Sequence, residues 1–269
     1  MKIALAQLNS TDDIETNLQT ILKFIRDAAE QDDKPKLIVF PENSLYFRVN
    51  TTDLPKTADD AKVWSQLQSQ AKQLKINIHL TTALADTDGK IYNGSVLIRE
   101  DGTLEIIYRK VHLFDIALTG QKAIRESDVF AGGSKPSTFL IDNVKFGNSV
   151  CYDVRFSELY ATYAKQEVDV ILVPAAFLVK TGEAHWDVLL RARAIESQCY
   201  VLAPAQAGTH KSTTSDNQRE TYGNTMAIGP WGEVLQRKSS GVGLMFIEVN
   251  KHTIETVRQQ IPMKSHRRL

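Results

Sequence analysis

The chain has 269 residues, of which 42% are apolar and 24% charged, with 32 basic side chains matched by 32 acidic ones. That length suits one large α/β domain or two small ones with a substantial buried core, and the electroneutrality argues against a broad nucleic-acid footprint. No apolar run approaches the roughly 20 residues of a membrane span, and two cysteines make no disulfide framework.

Strand-like and helix-like segments alternate along the first half. Lys2 to Leu8 predicts a strand with no secretory leader ahead of it. Asp12 to Gln31 carries Ile14, Leu18, Ile21, Leu22, Ile25 and Ala29 on one helical stripe. Lys36 to Phe40 is a short, nearly all-apolar strand. Ala58 to Leu74 repeats the helical pattern through Ala61, Trp64, Leu67, Ala71 and Leu74. Ile76 to Ala85 predicts a strand that turns at Asp86-Thr87-Asp88-Gly89 into Tyr92 to Glu100; Asp101-Gly102 then turns into Thr103 to Tyr108. Hairpins beside βα units imply a mixed sheet.

The second half follows the same plan. Ser137 to Ile141 and Val144 to Ser149 flank the turn Asp142-Asn143. Helices are expected over Ser157 to Glu167 and His185 to Gln198, and strands over Val170 to Pro174 and Tyr200 to Ala205. Gly208 to Gly223 is polar throughout and reads as a surface loop. Thr225 to Ile228 and Leu244 to Val249 are the last strands, and the basic end Lys264-Ser265-His266-Arg267-Arg268 reads as a solvated tail or a subunit contact. Two similar halves suggest two sheets packed face to face with helices outside, as one domain over residues 1–269 with a C-terminal tail from about residue 250.

Cys151 closes an apolar run and is followed at once by Tyr152-Asp153-Val154-Arg155. A buried strand that delivers a thiol to a sharp bend is a setting for covalent catalysis on an amide. Such chemistry needs a base for the thiol and a stabiliser for the tetrahedral oxyanion. Glu42, after Leu37 to Pro41, and Lys110, after Leu104 to Arg109, stand at similar strand ends. A backbone N–H just past Cys151, that of Tyr152, would complete an oxyanion site. Taken singly, each residue has a plainer reading: a solvated loop Glu, a surface Lys, a core Cys. Cys199 reads as a small core residue.

Together, Phe40-Pro41-Glu42-Asn43, Tyr108-Arg109-Lys110-Val111-His112-Leu113-Phe114-Asp115 and Val150-Cys151-Tyr152-Asp153-Val154-Arg155-Phe156 resemble the three signature motifs of the nitrilase (carbon–nitrogen hydrolase) superfamily, in its order. The resemblance implies a four-layer αββα sandwich and catalysis by Glu42, Lys110 and Cys151 with no cofactor or metal. It also implies a second glutamate, Glu126 in Arg125-Glu126-Ser127, that holds Lys110 charged and oriented, and it implies a homodimer.

The stretch Ala176 to Glu196 is similar to the branch that holds deaminated glutathione amidase and ω-amidase, whose substrates are 2-oxo amides bearing a carboxylate. Within that resemblance, Arg155 is expected to meet the substrate carboxylate, and Phe177 and Thr181 to line the pocket. The expectation is a cytoplasmic amidase acting through a thioester on a small amide, deaminated glutathione first. ω-Amidase activity, nitrile or N-carbamoyl hydrolysis, and a catalytically silent interaction protein are the alternatives. Two departures from the family pattern stand out. Ser157 replaces a frequent proline and is expected to cap the helix beginning there; Leu118-Thr119-Gly120-Gln121 lacks an acidic residue common in that loop.

Overall fold

A computed structural model describes residues 1–117 and 123–268. In chain order β1 (Lys2–Gln7), α1 (Ile14–Ala29), β2 (Leu37–Val39), α2 (Ala61–Leu74), β3 (Asn77–Ala85), β4 (Ile91–Ile98) and β5 (Leu104–Arg109) come first. A two-residue ladder, β6 (Asp115–Ile116) with β7 (Ile124–Arg125), leads to β8 (Thr138–Ile141), β9 (Val144–Asn148) and a 3-10 turn over Cys151–Arg155. There follow α3 (Ser157–Lys165), β10 (Val170–Leu172), α4 (Val179–Ser197), β11 (Tyr200–Ala203), β12 (Ala207–Lys211), β13 (Gln218–Tyr222) and β14 (Thr225–Ile228). β15 (Val234–Lys238), β16 (Gly243–Glu248), α5 (Lys251–Gln260) and α6 (Met263–His266) end the fold.

The two halves build the same object. One sheet runs β16-β1-β2-β3-β4-β5 and the other β15-β14-β11-β10-β9-β8. In the first, β1, β2 and β3 are parallel, with antiparallel strands outside them. In the second, β9, β10 and β11 are the parallel centre. Side-chain alternation sorts each central strand between two cores. Ile3, Leu5, Leu37, Val39, Phe146, Val170, Leu172 and Leu202 pack between the sheets. Ala4, Ala6 and Ile38 face α1 and α2, while Ile171, Val201 and Ala203 face α3 and α4. The result is the four-layer αββα arrangement.

Local signals explain the outer helices. Asp13 caps α1 by accepting from the backbone N–H of Thr16, 2.7 Å, and Asp60 caps α2 by accepting from Lys62, 2.8 Å. Four expectations are corrected. α4 begins at Val179, ahead of His185. Residues 208–223, read as a loop, contain the β12–β13 hairpin, whose strands lack apolar alternation. Ser157 opens α3 without capping it, because the cap position falls on Phe156. The C-terminal segment is docked, not frayed: Ile254 and Val257 are buried, Arg258 donates to Val168 O at 2.7 Å and Arg267 to Glu196 O at 2.7 Å. Among the described residues no helix is long and apolar enough to cross a membrane.

The interface between the sheets is not wholly apolar. His79 of β3 donates through Nε2 to Asn148 Oδ1 at the end of β9, 3.2 Å away, and Asn148 Nδ2 reaches Ser137 O at 3.3 Å. Burial holds the His79 imidazole down at about 4, and it does the same to His210 on β12. Both are neutral in the fold and take up protons on unfolding as pH falls from about 6.5 towards 4, so this stability is complete above that window and is lost within it. Thermal denaturation between pH 7.5 and 4.5 is expected to show a falling Tm, and His79→Gln to make the fall shallower. Equal pH slopes for the two proteins would remove His79 from the explanation.

Candidate active site

The parallel centres of both sheets point their carboxyl ends at one place, and there the candidate residues meet. Glu42 follows β2, Lys110 follows β5, Cys151 follows β9 and Ala176 follows β10. Lys110 Nζ lies 2.9 Å from Glu42 Oε1 and 2.8 Å from Glu126 Oε2. Glu42 Oε2 accepts from the backbone N–H of Ala176 at 2.9 Å, and the charge of the same glutamate acts on the Cys151 thiol. Gln206 braces Glu42 from behind, donating to its carbonyl at 3.0 Å. Glu126 Oε2 also accepts from Phe114 N at 2.7 Å. One sulfur, one ammonium and two carboxylates therefore share a single buried cluster.

Cys151 has a φ of +49°, the left-handed region that costs a non-glycine residue about 1–3 kcal/mol. Its own N–H donates to Pro174 O at 2.9 Å, which locks the bend. Among the described residues the next N–H, that of Tyr152, has no hydrogen-bond acceptor. Burial, then the charge on Glu42, pushes the Cys151 thiol well above its ordinary range, so sulfur rests protonated. Burial works against the charge on Lys110, but Glu126 and Glu42 outweigh it and keep the ammonium charged. Burial likewise opposes the charge on Glu126, and Lys110 overcomes it, so its carboxyl lies below the usual range.

A cleft of about 730 Å³, counting its open mouth, leads down to Cys151. Glu42, Lys110, Glu126, Cys151, Tyr152, Phe177 and Thr181 all line it, so seven of the eight expected residues converge. Arg155 is the exception. Its guanidinium hydrogen-bonds His185 Nδ1 at 3.0 Å and lies over the rings of Tyr152 and Phe177, at 5.6 and 5.3 Å. It closes the 3-10 turn that follows Cys151 and is not among the residues that line the cleft. The loop Leu118 to Gln121 lies outside the described residues.

Several lining or supporting residues have no motif around them in the sequence. Asn93 of β4 donates to Glu42 Oε1 at 2.8 Å and to Glu126 Oε1 at 2.9 Å, tying the two carboxylates together. Arg48 and Arg219 line the cleft, from the loop after Glu42 and from β13. An Asn-Gly pair inside a buried strand was the one available signal, since neither residue suits a strand interior; the arginines carried none. Among the described residues no group of three or more His, Cys, Asp or Glu side chains is placed to hold a metal ion.

A family profile described as carbon–nitrogen hydrolase matches residues 2–259. The chain belongs to this family. It is 38% identical to the deaminated glutathione amidase of Synechocystis sp. PCC 6803 over 98% of this chain and 97% of that one. The crystal structure of the Caenorhabditis elegans NitFhit protein superposes with a TM-score of 0.85 at 32% identity, covering 99% of this chain and 65% of that longer one. Saccharomyces cerevisiae Nit3, described as a member of branch 10 of the nitrilase superfamily, gives 0.83 at 29% identity over 100% of this chain and 97% of its own. The protein is a hydrolase that acts on amides.

Within this carbon–nitrogen hydrolase, Asp153 ties the cysteine turn to the lysine strand. Fully buried, it accepts at Oδ2 from Val150 N and from the Tyr108 hydroxyl, both at 2.9 Å. At Oδ1 it accepts from His112 N at 2.9 Å and His112 Nδ1 at 2.7 Å, and the His112 ring is stacked on Phe156 at 3.7 Å. Tyr108 and His112 bracket Lys110, and Val150 precedes Cys151, so one carboxylate sets the separation of sulfur and ammonium. Asp153→Asn puts an amide N–H against those donors, a loss of roughly 1–3 kcal/mol. Steady-state kinetics should show kcat falling far more than KM rises, with the pH–rate profile displaced. A parent-like kcat and profile would make Asp153 a folding residue alone.

Proposed function

We propose that the chain hydrolyses the amide bond of a carboxylate-bearing 2-oxo amide, deaminated glutathione, through a thioester on Cys151. The observation that carries this reading is the convergence of Glu42, Lys110 and Cys151 on one cavity floor, with Glu126 and Asn93 behind them. The Cys151 thiol gives its proton to Glu42 as sulfur adds to the amide carbon. The carbonyl oxygen becomes an oxyanion facing the Lys110 ammonium and the Tyr152 N–H. Glu42 passes the proton to the nitrogen, the C–N bond breaks, and the amine (cysteinylglycine) departs.

The acyl half stays on sulfur until water gives a proton to Glu42 and its oxygen adds to the thioester carbon. Collapse expels sulfur, which recovers the proton, and the 2-oxo dicarboxylic acid is released. Ala176 N–H holds the Glu42 carboxylate in place through both steps, and Glu126 keeps Lys110 charged without competing for the thiol. Phe177 and Thr181 shape the wall beside the acyl group.

The relatives named deaminated glutathione amidase support the substrate, at 34–38% identity over 98–100% of this chain. Measured side by side, kcat/KM for deaminated glutathione is expected to exceed that for 2-oxoglutaramate and 2-oxosuccinamate, with no turnover of nitriles or N-carbamoyl compounds. A preference for 2-oxoglutaramate would assign ω-amidase activity instead. Absence of thiol-dependent hydrolysis of every short amide would leave a binding protein.

A further inference from the structure

Two arginines in the cleft have no counter-ion among the described residues. Arg48 Nη1 reaches only Asp53 O, at 3.5 Å, and Arg219 Nη1 only Arg48 O, at 3.4 Å. Both contacts are at the long limit, and neither guanidinium pairs with a carboxylate among the described residues. Yet both are sheltered, and burial pulls both below the usual arginine range. An unpaired sheltered charge is costly, so its retention calls for a ligand that supplies the missing anion. The lining side chains sum to the same conclusion: Arg48, Lys110 and Arg219 are cations against the carboxylates Glu42 and Glu126, an excess of one positive charge.

The pair is also held in position before any ligand arrives. Arg219 sits opposite His210 in the β12–β13 ladder. His210 is stacked on Phe47 at 3.8 Å, and the Arg219 guanidinium lies 5.3 Å from the same ring. His210 is fixed in turn, by Ser10 O and the Thr221 hydroxyl, each at 2.7 Å. The end of β13 is anchored by Tyr222 N to Phe177 O at 2.9 Å, and Gly182 of α4 lets the Tyr222 ring approach so closely that a β-carbon there would stand 2.2 Å from it. The charges of Glu42 and Glu126 favour the charged Arg219, against repulsion from Arg48. Little side-chain freedom remains to be lost on binding.

We propose that Arg48 and Arg219 form a clamp for a carboxylate carried by the substrate amide, and that this pair, not Arg155, selects anionic amides over neutral ones. The inference rests on the amidase reading for its substrate class, while the clamp itself is a binding site that exists without turnover. A planar guanidinium meets a carboxylate through paired N–H···O bonds, and one carboxylate cancels the cavity's excess charge. That carboxylate belongs either to the acyl half or to the departing amine, and both present the same chemistry to the clamp.

Three amides separate these cases: glutaramate, with the carboxylate on the acyl half; N-butyrylglycine, with it on the amine; and neutral butyramide. kcat/KM is measured for each with the parent, Arg219→Gln, Arg48→Gln and Arg155→Gln. Arg219→Gln is expected to lower the anionic-to-neutral ratio about tenfold or more for one of the two anionic amides, and that amide identifies the half. Arg219→Lys, which keeps the charge but not the planar fork, is expected to lose part of that selectivity and serves if the Gln variant does not fold. A ratio that moves by less than about twofold for both anionic amides, or a tenfold-scale fall confined to Arg155→Gln, overturns the clamp. If the parent turns over none of the three, the amidase reading fails on its own, and calorimetric titration of glutaramate and N-butyrylglycine into Cys151→Ala protein decides the clamp. Affinity about tenfold weaker with Arg219→Gln supports it; unchanged affinity, or none in the Cys151→Ala protein itself, overturns it.

Discussion

A buried ammonium between two carboxylates is the constraint on which the rest of the structure depends. Lys110 is almost wholly out of water, with Glu42 and Glu126 both within 3.0 Å. Removing the ammonium from such a group costs several kcal/mol, because two buried carboxylates are then left together without solvent or counter-ion. The three residues come from separate chain segments, so the cluster closes only when the strand ends arrive in register. Asn93 adds the bridge between the carboxylates, and Ala176 fixes the free oxygen of Glu42 from the opposite sheet. Folding and site assembly are thus the same event.

The duplicated sheet plan explains why these ends coincide. Each half puts three parallel strands at its centre, and loops at the carboxyl ends of parallel strands are where α/β proteins present reactive groups. Packing the sheets face to face brings two such ends together, so Glu42 arrives from one sheet and Cys151 from the other. Asp153 then sets the distance between Cys151 and Lys110 by gripping both the cysteine turn and the residues around the lysine. The positive φ at Cys151 is stable there because Pro174 O, Asp153 and the packing of Val150 and Val154 all hold it.

Much of this was legible in the amino-acid order. The apolar stripe from Ile14 to Ala29, the tight turns at Gly89 and Gly102, and the short apolar runs ahead of Glu42 and Cys151 follow local rules that act within a few residues. What escaped depends on contacts far apart in the chain. Ala176 N–H meets Glu42 across 134 residues, and no local pattern marks a backbone donor for that task. β13 reads Gln218-Arg219-Glu220-Thr221-Tyr222, without alternation, because a two-stranded flap over a polar cleft has no apolar face to bury. Arg155 shows the converse: it is close to Cys151 in sequence, yet it stands at the end of a 3-10 turn and is not among the residues that line the cleft. The start of α4 was hidden by Lys180-Thr181-Gly182-Glu183, where glycine serves the contact with Tyr222, not a turn.

The most direct test of the central claim is whether carbon from the amide becomes bonded to this sulfur. Protein quenched in acid during steady-state turnover of deaminated glutathione, digested and weighed by mass spectrometry, should carry the acyl half on the peptide that contains Cys151. Cys151→Ala protein should carry none and hydrolyse nothing. Turnover that persists in Cys151→Ala, or an acyl mark on any other side chain, would contradict the assignment of the cluster.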